Sequence, residues 1–166
     1  MSGPVKVDVL VVGSGAAGLS AAVTAAMHGA SVMVAEKASV LGGTSAWSGG
    51  WLWIPRNPLA RAEGIDEAAD APLTYLQHEM GGEAADIRLQ TFLRYGPEMV
   101  EFFHQRTAVQ FLSGSAMPDF HPSPGAANGG RSVTAQPYDG RPLADWLGRK
   151  KIIINSVFFF GFWTIA

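Results

Sequence analysis

Two short apolar runs separated by small residues open the chain. Residues 7–12 read VDVLVV and residues 31–35 read SVMVA, and both are rich in valine, which favours strands. Between them lie a glycine-rich turn, residues 13–18, and an alanine-rich stretch that favours a helix ending before Gly29. The pattern predicts a strand, a turn, a helix and a second strand, with Glu36 directly after the second strand.

The rest of the chain predicts helices and loops. Residues 56–64 read as a polar connector, and residues 114–140, rich in Gly, Pro, Ser and Asn, as one long loop. Three helices are predicted between them, over residues 71–80, 84–95 and 97–106, the last with proline in its first position. Their buried faces are predicted to contain Leu89, Phe92, Leu93, Met99, Val100, Phe102 and Phe103.

The glycine turn has the spacing of a dinucleotide-binding motif. Gly13 allows a sharp turn out of the strand, Gly15 allows close approach of phosphate oxygens, and Gly18 allows close helix–strand packing. The N-terminus of the following helix attracts a pyrophosphate through its free amides and its dipole. Glu36 stands near the position of the carboxylate that binds an adenosine ribose and repels a 2′-phosphate, which indicates FAD or NAD and not NADP. These features predict an α/β fold with a Rossmann-like βαβ unit in a mixed sheet with flanking helices.

A second loop with two glycine pairs follows Glu36. Residues 34–55 read VAEKASVLGGTSAWSGGWLWIP, and the backbone amides and hydroxyls of the loop suit a second set of ligand oxygens. Together with VVGSGAAGLSAA at residues 11–22, this segment resembles the flavoprotein family of fumarate reductases, succinate dehydrogenases and 3-ketosteroid dehydrogenases. The similarity is greatest to the 3-ketosteroid Δ1-dehydrogenase branch.

The resemblance implies bound FAD and a set of residues that contact it. The family attaches FAD covalently in some members through a histidine of the second loop, and no histidine lies between His28 and His78, so we expect non-covalent binding. The implied contacts are Gly13, Ser14, Gly15, Ala16, Ala17, Gly18, Glu36, Lys37, Gly43, Thr44, Ser45, Ser48, Gly49 and Gly50.

The resemblance also implies the reaction and the domain organisation. The activity would be that of a dehydrogenase or reductase acting on a CH–CH bond next to a carbonyl, in a steroid-like or dicarboxylate substrate. Residues 1–60 would form the βαβ unit and flavin loop, and residues 61–149 the start of an α+β substrate region. The expected protein is an N-terminal portion of a longer enzyme and is inactive alone.

The long loop contains the candidates for chemistry. The related branch has a PDY-type motif where this chain reads MPDFHP, so Phe120 lacks the tyrosine hydroxyl and argues against a steroid substrate. His121 is a weak candidate for an acid or base, because histidine titrates near neutral pH. Arg131 and Tyr138 are further candidates. His78 and His104 have no second ligand at metal spacing, so no metal site is predicted.

Composition limits the function classes. The chain has 166 residues, 48% of them hydrophobic, a net charge of −2 and no cysteine. The charge offers no attraction for nucleic acid, and the lack of cysteine excludes disulfides, iron–sulfur ligation and thiol catalysis. No signal peptide is recognised, and we expect a soluble cytoplasmic protein that acts on a small molecule. The oligomeric state is not predicted.

The composition changes after Arg149. Residues 150–166 favour Lys, Ile, Asn and Phe, which indicates a frame-shifted or foreign end. A membrane segment over residues 152–166 is the second interpretation, although this stretch is shorter than the roughly 20 residues that span a bilayer. A native core element is the third.

Two alternatives to a flavin oxidoreductase portion remain at this point. The chain can also be read as a non-enzymatic dinucleotide-binding module that needs a partner chain, or as a fragment of an NAD-binding dehydrogenase.

Overall fold

The structure, a computed structural model, describes residues 4–81, 86–137 and 139. The chain forms two compact units. Unit 1 comprises Met1–Gly50 and Pro137–Ala166, and unit 2 comprises Trp51–Gln136. The atypical tail, residues 150–166, lies outside the described residues.

Unit 1 contains the predicted βαβ arrangement. Strand β1 (Val9–Val12), helix α1 (Ala16–Met27) and strand β2 (Val32–Ala35) follow one another, and a short 3-10 helix covers Gly43–Trp47. The two strands are parallel, with Val9 opposite Val32 and Val12 opposite Ala35. The ladder extends beyond β1, because the Gly13 amide donates to the Ala35 carbonyl oxygen at 2.8 Å. The α/β prediction is confirmed in this unit.

Unit 2 combines helices with a small antiparallel sheet. Strand β5 (Ser132–Ala135) lies between β3 (Trp51–Trp53) and β4 (Phe111–Gly114). The helices are α2 (Pro58–Ala62), α3 (Ala71–Glu79) and α4 (Ile87–Arg106). Val100 and Val133 are completely buried in its core.

The connector and the long loop each contain an element that was not predicted. Helix α2 begins within residues 56–64 because the Asn57 side chain caps it, accepting a hydrogen bond from the Ala60 amide at 3.0 Å. Strand β5 lies within residues 114–140. The glycines and prolines on either side of it led the sequence pattern to predict a loop there. All four of its residues are buried, since it pairs on both sides.

The prediction of a helix boundary at Pro97 was wrong, because α4 runs through it. Proline has no N–H to donate to the carbonyl oxygen of Leu93, four residues earlier. The Arg56 guanidinium supplies a substitute, with Nη2 donating to that oxygen at 3.3 Å. The predicted buried face was also wrong at Phe92, which is 41% exposed, whereas Gly96 was missed and is buried.

Candidate cofactor-binding site

The fourteen residues predicted to contact the cofactor all lie in unit 1. They fall into three groups: the turn between β1 and α1, the end of β2, and the loop that contains the 3-10 helix. The first two groups meet because the carboxyl ends of parallel strands share one edge of the sheet. This edge is where ligands bind in open α/β sheets.

The glycines of the turn meet different constraints. Gly13 has φ of +96°, which a residue with a side chain rarely adopts. A Cβ on Gly18 would lie 2.1 Å from the Gly13 carbonyl oxygen, so helix and turn need glycine to pack. A Cβ on Gly15 would meet only the Ser45 Oγ, at 3.8 Å. Nothing in the described chain therefore demands glycine at position 15, and the open space beside it fits an approaching ligand.

The N-terminus of α1 is suited to an anion. Its N-cap residue is Gly15, which has no side chain to cap the helix, and its first turn contains no acidic residue. The first helical amide, that of Ala16, donates to the Ser45 Oγ at 3.0 Å. The remaining amides of the turn and the positive end of the helix dipole form an anion-binding position. This arrangement fits a pyrophosphate.

The Glu36 carboxylate is held by three hydrogen bonds. Its Oε1 accepts from the Ala38 amide at 2.9 Å, and its Oε2 accepts from the Ser14 amide at 2.8 Å and from the Ser14 hydroxyl at 2.6 Å. The Ala38 amide, followed by the hydroxyl and amide of Ser14, lowers the pKa of Glu36 to about 2. The group is therefore ionised at neutral pH and can accept hydrogen bonds from ribose hydroxyls.

The second loop is joined to the turn by hydrogen bonds. The Gly42 amide donates to the Ser14 Oγ at 2.9 Å. Within the loop, the Ser48 Oγ donates to the Ser45 carbonyl oxygen at 2.8 Å and accepts from the Gly50 amide at 3.2 Å. Lys37, Thr44 and Gly49 are exposed beside these contacts.

Two groups of the site were missed by the sequence analysis. The Gly42 and Ala38 amides hold Ser14 and Glu36, respectively. The pair of glycines at 42 and 43 is a weak signal for the first contact. No residue pattern indicates the second, because any residue except proline supplies an amide.

His121 and Arg131, two of the candidates from the long loop, belong to unit 2, and each contacts a carboxylate of that unit. The His121 Nδ1 lies 2.5 Å from the Glu79 Oε2, and the Ser123 hydroxyl donates to the Glu79 Oε1 at 2.5 Å. The hydrogen bond from Ser123 and, to a smaller extent, that with His121 lower the pKa of Glu79. Phe120 is 86% exposed. Tyr138 lies outside the described residues.

The Arg131 side chain is buried and makes three hydrogen bonds within unit 2. Its side chain is 2% exposed, and its Nε donates to the Glu67 Oε2 at 2.8 Å. Its Nη1 donates to the Asp119 Oδ2 at 2.7 Å, and its Nη2 to the Gly125 carbonyl oxygen at 2.7 Å. The guanidinium therefore ties the loop to the rest of unit 2.

Neither metal nor membrane features occur in the described part of the chain. No group of three or more His, Cys, Asp or Glu residues there is arranged to hold a metal ion. His104 instead accepts a hydrogen bond from the Phe111 amide at 3.0 Å. Among the helices of the described ranges, none is long and apolar enough to cross a membrane.

Comparison with known proteins identifies similar chains. The 3-oxosteroid 1-dehydrogenase of Mycobacterium tuberculosis strain H37Rv is 41% identical, over 90% of this chain and 28% of the relative. The 4-oxocyclohexanecarboxylate 2-dehydrogenase of Sinomonas cyclohexanicum is 44% identical, over 85% of this chain and 24% of the relative. The chain thus spans about a quarter of the length of these relatives.

A solved structure shares the fold. The 3-ketosteroid Δ1-dehydrogenase of Sterolibacterium denitrificans, in complex with 1,4-androstadiene-3,17-dione, matches with a TM-score of 0.75 and 40% identity. The match covers 84% of this chain and 25% of that chain.

The family comparison agrees with the geometry of unit 1. The FAD binding domain family matches residues 8–159, a range that includes the glycine turn, Glu36 and the second loop and that runs past Arg149. The chain belongs to the FAD-binding domain family.

Proposed function

We propose that this chain binds FAD non-covalently at the edge formed by the glycine turn, the end of β2 and the second loop, which together contain the fourteen residues predicted from its sequence. Three features meet at one sheet edge and carry the proposal: a helix N-terminus whose N-cap residue has no side chain, the open space beside Gly15, and the ionised Glu36. FAD and NAD would both bind at this edge, so the geometry does not choose between them. Family membership favours FAD.

Each group of the site takes one part of the cofactor. The amides of the first turn of α1 bind the pyrophosphate, with Ser45 beside them, and Glu36 accepts from the adenosine ribose. The second loop, from Gly43 to Gly50, binds the remainder of FAD with its amides and hydroxyls. When bound, FAD supplies two-electron redox chemistry, while the protein positions it.

Titration of the purified chain with FAD and, separately, with NAD tests the cofactor. We expect saturable binding of FAD, a much weaker response to NAD, and a loss of affinity of about tenfold in Glu36→Ala. Asp8→Ala is the matched control, because Asp8 makes a similar carboxylate–serine contact at the opposite end of the same strands. Release of all flavin on heat denaturation supports non-covalent binding, and flavin retained by the denatured chain contradicts it.

For the whole protein we propose dehydrogenation of a ring carbon next to a ketone. The names of the relatives supply two substrate classes, an oxosteroid and an oxocyclohexanecarboxylate. Phe120 lacks the hydroxyl expected from the steroid branch, which favours the smaller oxo acid. An assay with an artificial electron acceptor and both substrates distinguishes them.

A non-enzymatic FAD-binding module is the second candidate. One observation favours it: the imidazole of His121, the candidate acid or base, pairs with Glu79. Binding of FAD without turnover of either substrate supports this candidate, whereas turnover by the purified chain excludes it.

A further inference from the structure

The side chain of Ser14 is enclosed by the protein. Ser14 is 0% exposed. Its hydroxyl donates one hydrogen bond and accepts one, both within unit 1. The hydroxyl donates to the Glu36 Oε2 at 2.6 Å and accepts from the Gly42 amide at 2.9 Å. It therefore links the glycine turn, the end of β2 and the second loop through one oxygen atom.

We propose that Ser14 is a positioning residue, whose hydroxyl holds Glu36 and the second loop in one arrangement and does not itself contact the cofactor. This inference rests on the proposed FAD site for its ligand. It replaces the role expected for the Ser14 side chain from family resemblance, which was direct contact with FAD.

Loss of the hydroxyl has two local consequences. The Gly42 amide loses its acceptor, and an unpaired buried amide is unfavourable. The Glu36 Oε2 keeps only the Ser14 backbone amide, so the carboxylate is oriented by one donor fewer on that oxygen. Both changes make the position of the second loop and of the Glu36 carboxylate less fixed, and the proposed FAD site uses both. Neither change removes a group that would contact FAD.

The chain provides a matched control at the other end of the same two strands. The Asp8 Oδ2 accepts from the Ser31 amide at 2.8 Å and from the Ser31 hydroxyl at 2.6 Å. The same pair of bonds joins Ser14 to Glu36, with the same two distances. Ser31→Ala therefore removes an equivalent serine–carboxylate bond away from the proposed site.

The first test measures FAD affinity in Ser14→Ala, Ser31→Ala, Glu36→Ala and the Ser14→Ala/Glu36→Ala double variant. We expect a loss of about tenfold for Ser14→Ala and a change within about twofold for Ser31→Ala. Because part of the effect of Ser14 passes through Glu36, its replacement is expected to reduce FAD affinity less in the Glu36→Ala background than in the wild-type chain. Wild-type affinity in Ser14→Ala, or full additivity in the double variant, overturns the inference.

The second test needs no cofactor. Carboxyl NMR titration of the chain is expected to show a higher pKa for Glu36 in Ser14→Ala than the wild-type value of about 2, and no change in Ser31→Ala. The Gly42 amide resonance shifts only in Ser14→Ala. An unchanged pKa and amide resonance overturn the positioning role.

The two tests separate this inference from the proposed function. If the wild-type chain fails to bind FAD, the proposed function is wrong, and the titration still decides whether Ser14 positions Glu36. If Ser14→Ala does not fold, Ser14→Cys fills the same space with a weak donor and is expected to give the same pattern. Wild-type FAD affinity and an unchanged Glu36 pKa in Ser14→Cys then overturn the inference.

Discussion

Single residues in the glycine turn separate folding from binding. Gly18 is required by the chain itself, since a Cβ there would collide with the Gly13 carbonyl oxygen. Gly15 has no such collision, so its lack of a side chain matters for what approaches the turn from outside. A substitution at each position therefore reports on a different property.

We expect Gly18→Ala to lower the free energy of unfolding by about 1–3 kcal/mol, the usual cost of overpacking. Gly15→Ala is expected to change it by less than about 1 kcal/mol and to weaken FAD binding at least about tenfold, because the methyl group takes space that a phosphate needs. Urea denaturation and FAD titration of both variants measure this. Equal destabilisation by the two substitutions contradicts the assignment.

The lowered pKa of Glu36 gives stability a defined pH dependence. The folded chain holds the carboxylate ionised down to a pKa of about 2, below the ordinary value of 4.5, so its contribution is complete above pH 4.5 and is lost as pH falls toward 2. Glu36→Gln does not titrate. We expect the difference in unfolding free energy between wild type and Glu36→Gln to be constant above pH 4.5 and to shrink below it.

Denaturant unfolding of both proteins across this pH range measures the difference. Asp8, whose pKa the Ser31 hydroxyl and amide also lower, is present in both proteins, so its contribution cancels. A difference that grows as the pH falls below 4.5 is incompatible with the structure.

At the scale of elements, α4 depends on a contact from outside the helix. Pro97 leaves the Leu93 carbonyl oxygen without its helical donor, and Arg56 replaces that donor. We expect Arg56→Met to lower the unfolding free energy by about 1 kcal/mol in the wild-type chain. In a Pro97→Ala background the new backbone amide donates to the Leu93 carbonyl oxygen, so the effect of Arg56→Met is expected to fall below about 0.5 kcal/mol.

Thermal or urea unfolding of the four proteins in this cycle provides the measurement. Arg61→Met is the control, since Arg61 is exposed on α2 and has no recorded bond to Leu93. An equal effect of Arg56→Met in both backgrounds shows that Arg56 does not replace the missing donor.

The loop before β5 is held by a buried charge cluster. Replacing Arg131 leaves Asp119, whose side chain is 3% exposed, without its cation. We expect Arg131→Met to lower the unfolding free energy by about 3–5 kcal/mol, the usual effect of breaking a buried pair. Arg88→Met removes an ion pair with Asp86 in which the arginine side chain is 88% exposed, so a loss below about 1 kcal/mol is expected. Similar losses in the two variants refute the role of burial.

For the whole molecule, one face of the β1–β2 sheet is unusually exposed. Val11 faces α1, since its Cγ1 lies 3.3 Å from a Cβ built on Gly18. The alternating residues Leu10 and Val12 are 58% and 82% exposed. Parallel sheets are normally covered on both faces, and exposed apolar patches mark interaction surfaces.

We expect the chain to self-associate as its concentration rises, and a Leu10→Ser/Val12→Ser variant to remain monomeric to higher concentration. Sedimentation velocity over a concentration series measures the association. Ile87→Ser is the control, because Ile87 is 70% exposed at the start of α4 in unit 2. If Ile87→Ser has the same effect as the double variant, general surface hydrophobicity and not this sheet face causes the association.

The sequence by itself determined the βαβ unit and placed Glu36 directly after its second strand. These features depend on neighbours close along the chain: glycines that set a turn, alanines that favour a helix, and valine runs that favour strands. Helices α3 and most of α4 followed from the same local patterns.

Only the tertiary structure decided what the hydroxyl of Ser14, the guanidinium of Arg56 and that of Arg131 do. Ser14 meets Glu36 across 22 residues of sequence, Arg56 meets Leu93 across 37, and Arg131 meets Glu67 across 64. Strand β5 likewise exists because two distant strands supply its hydrogen bonds. Local sequence preferences cannot specify such partners. A polar group that becomes buried on folding is stabilised only by a hydrogen bond, and its partner is whichever donor or acceptor the fold brings next to it.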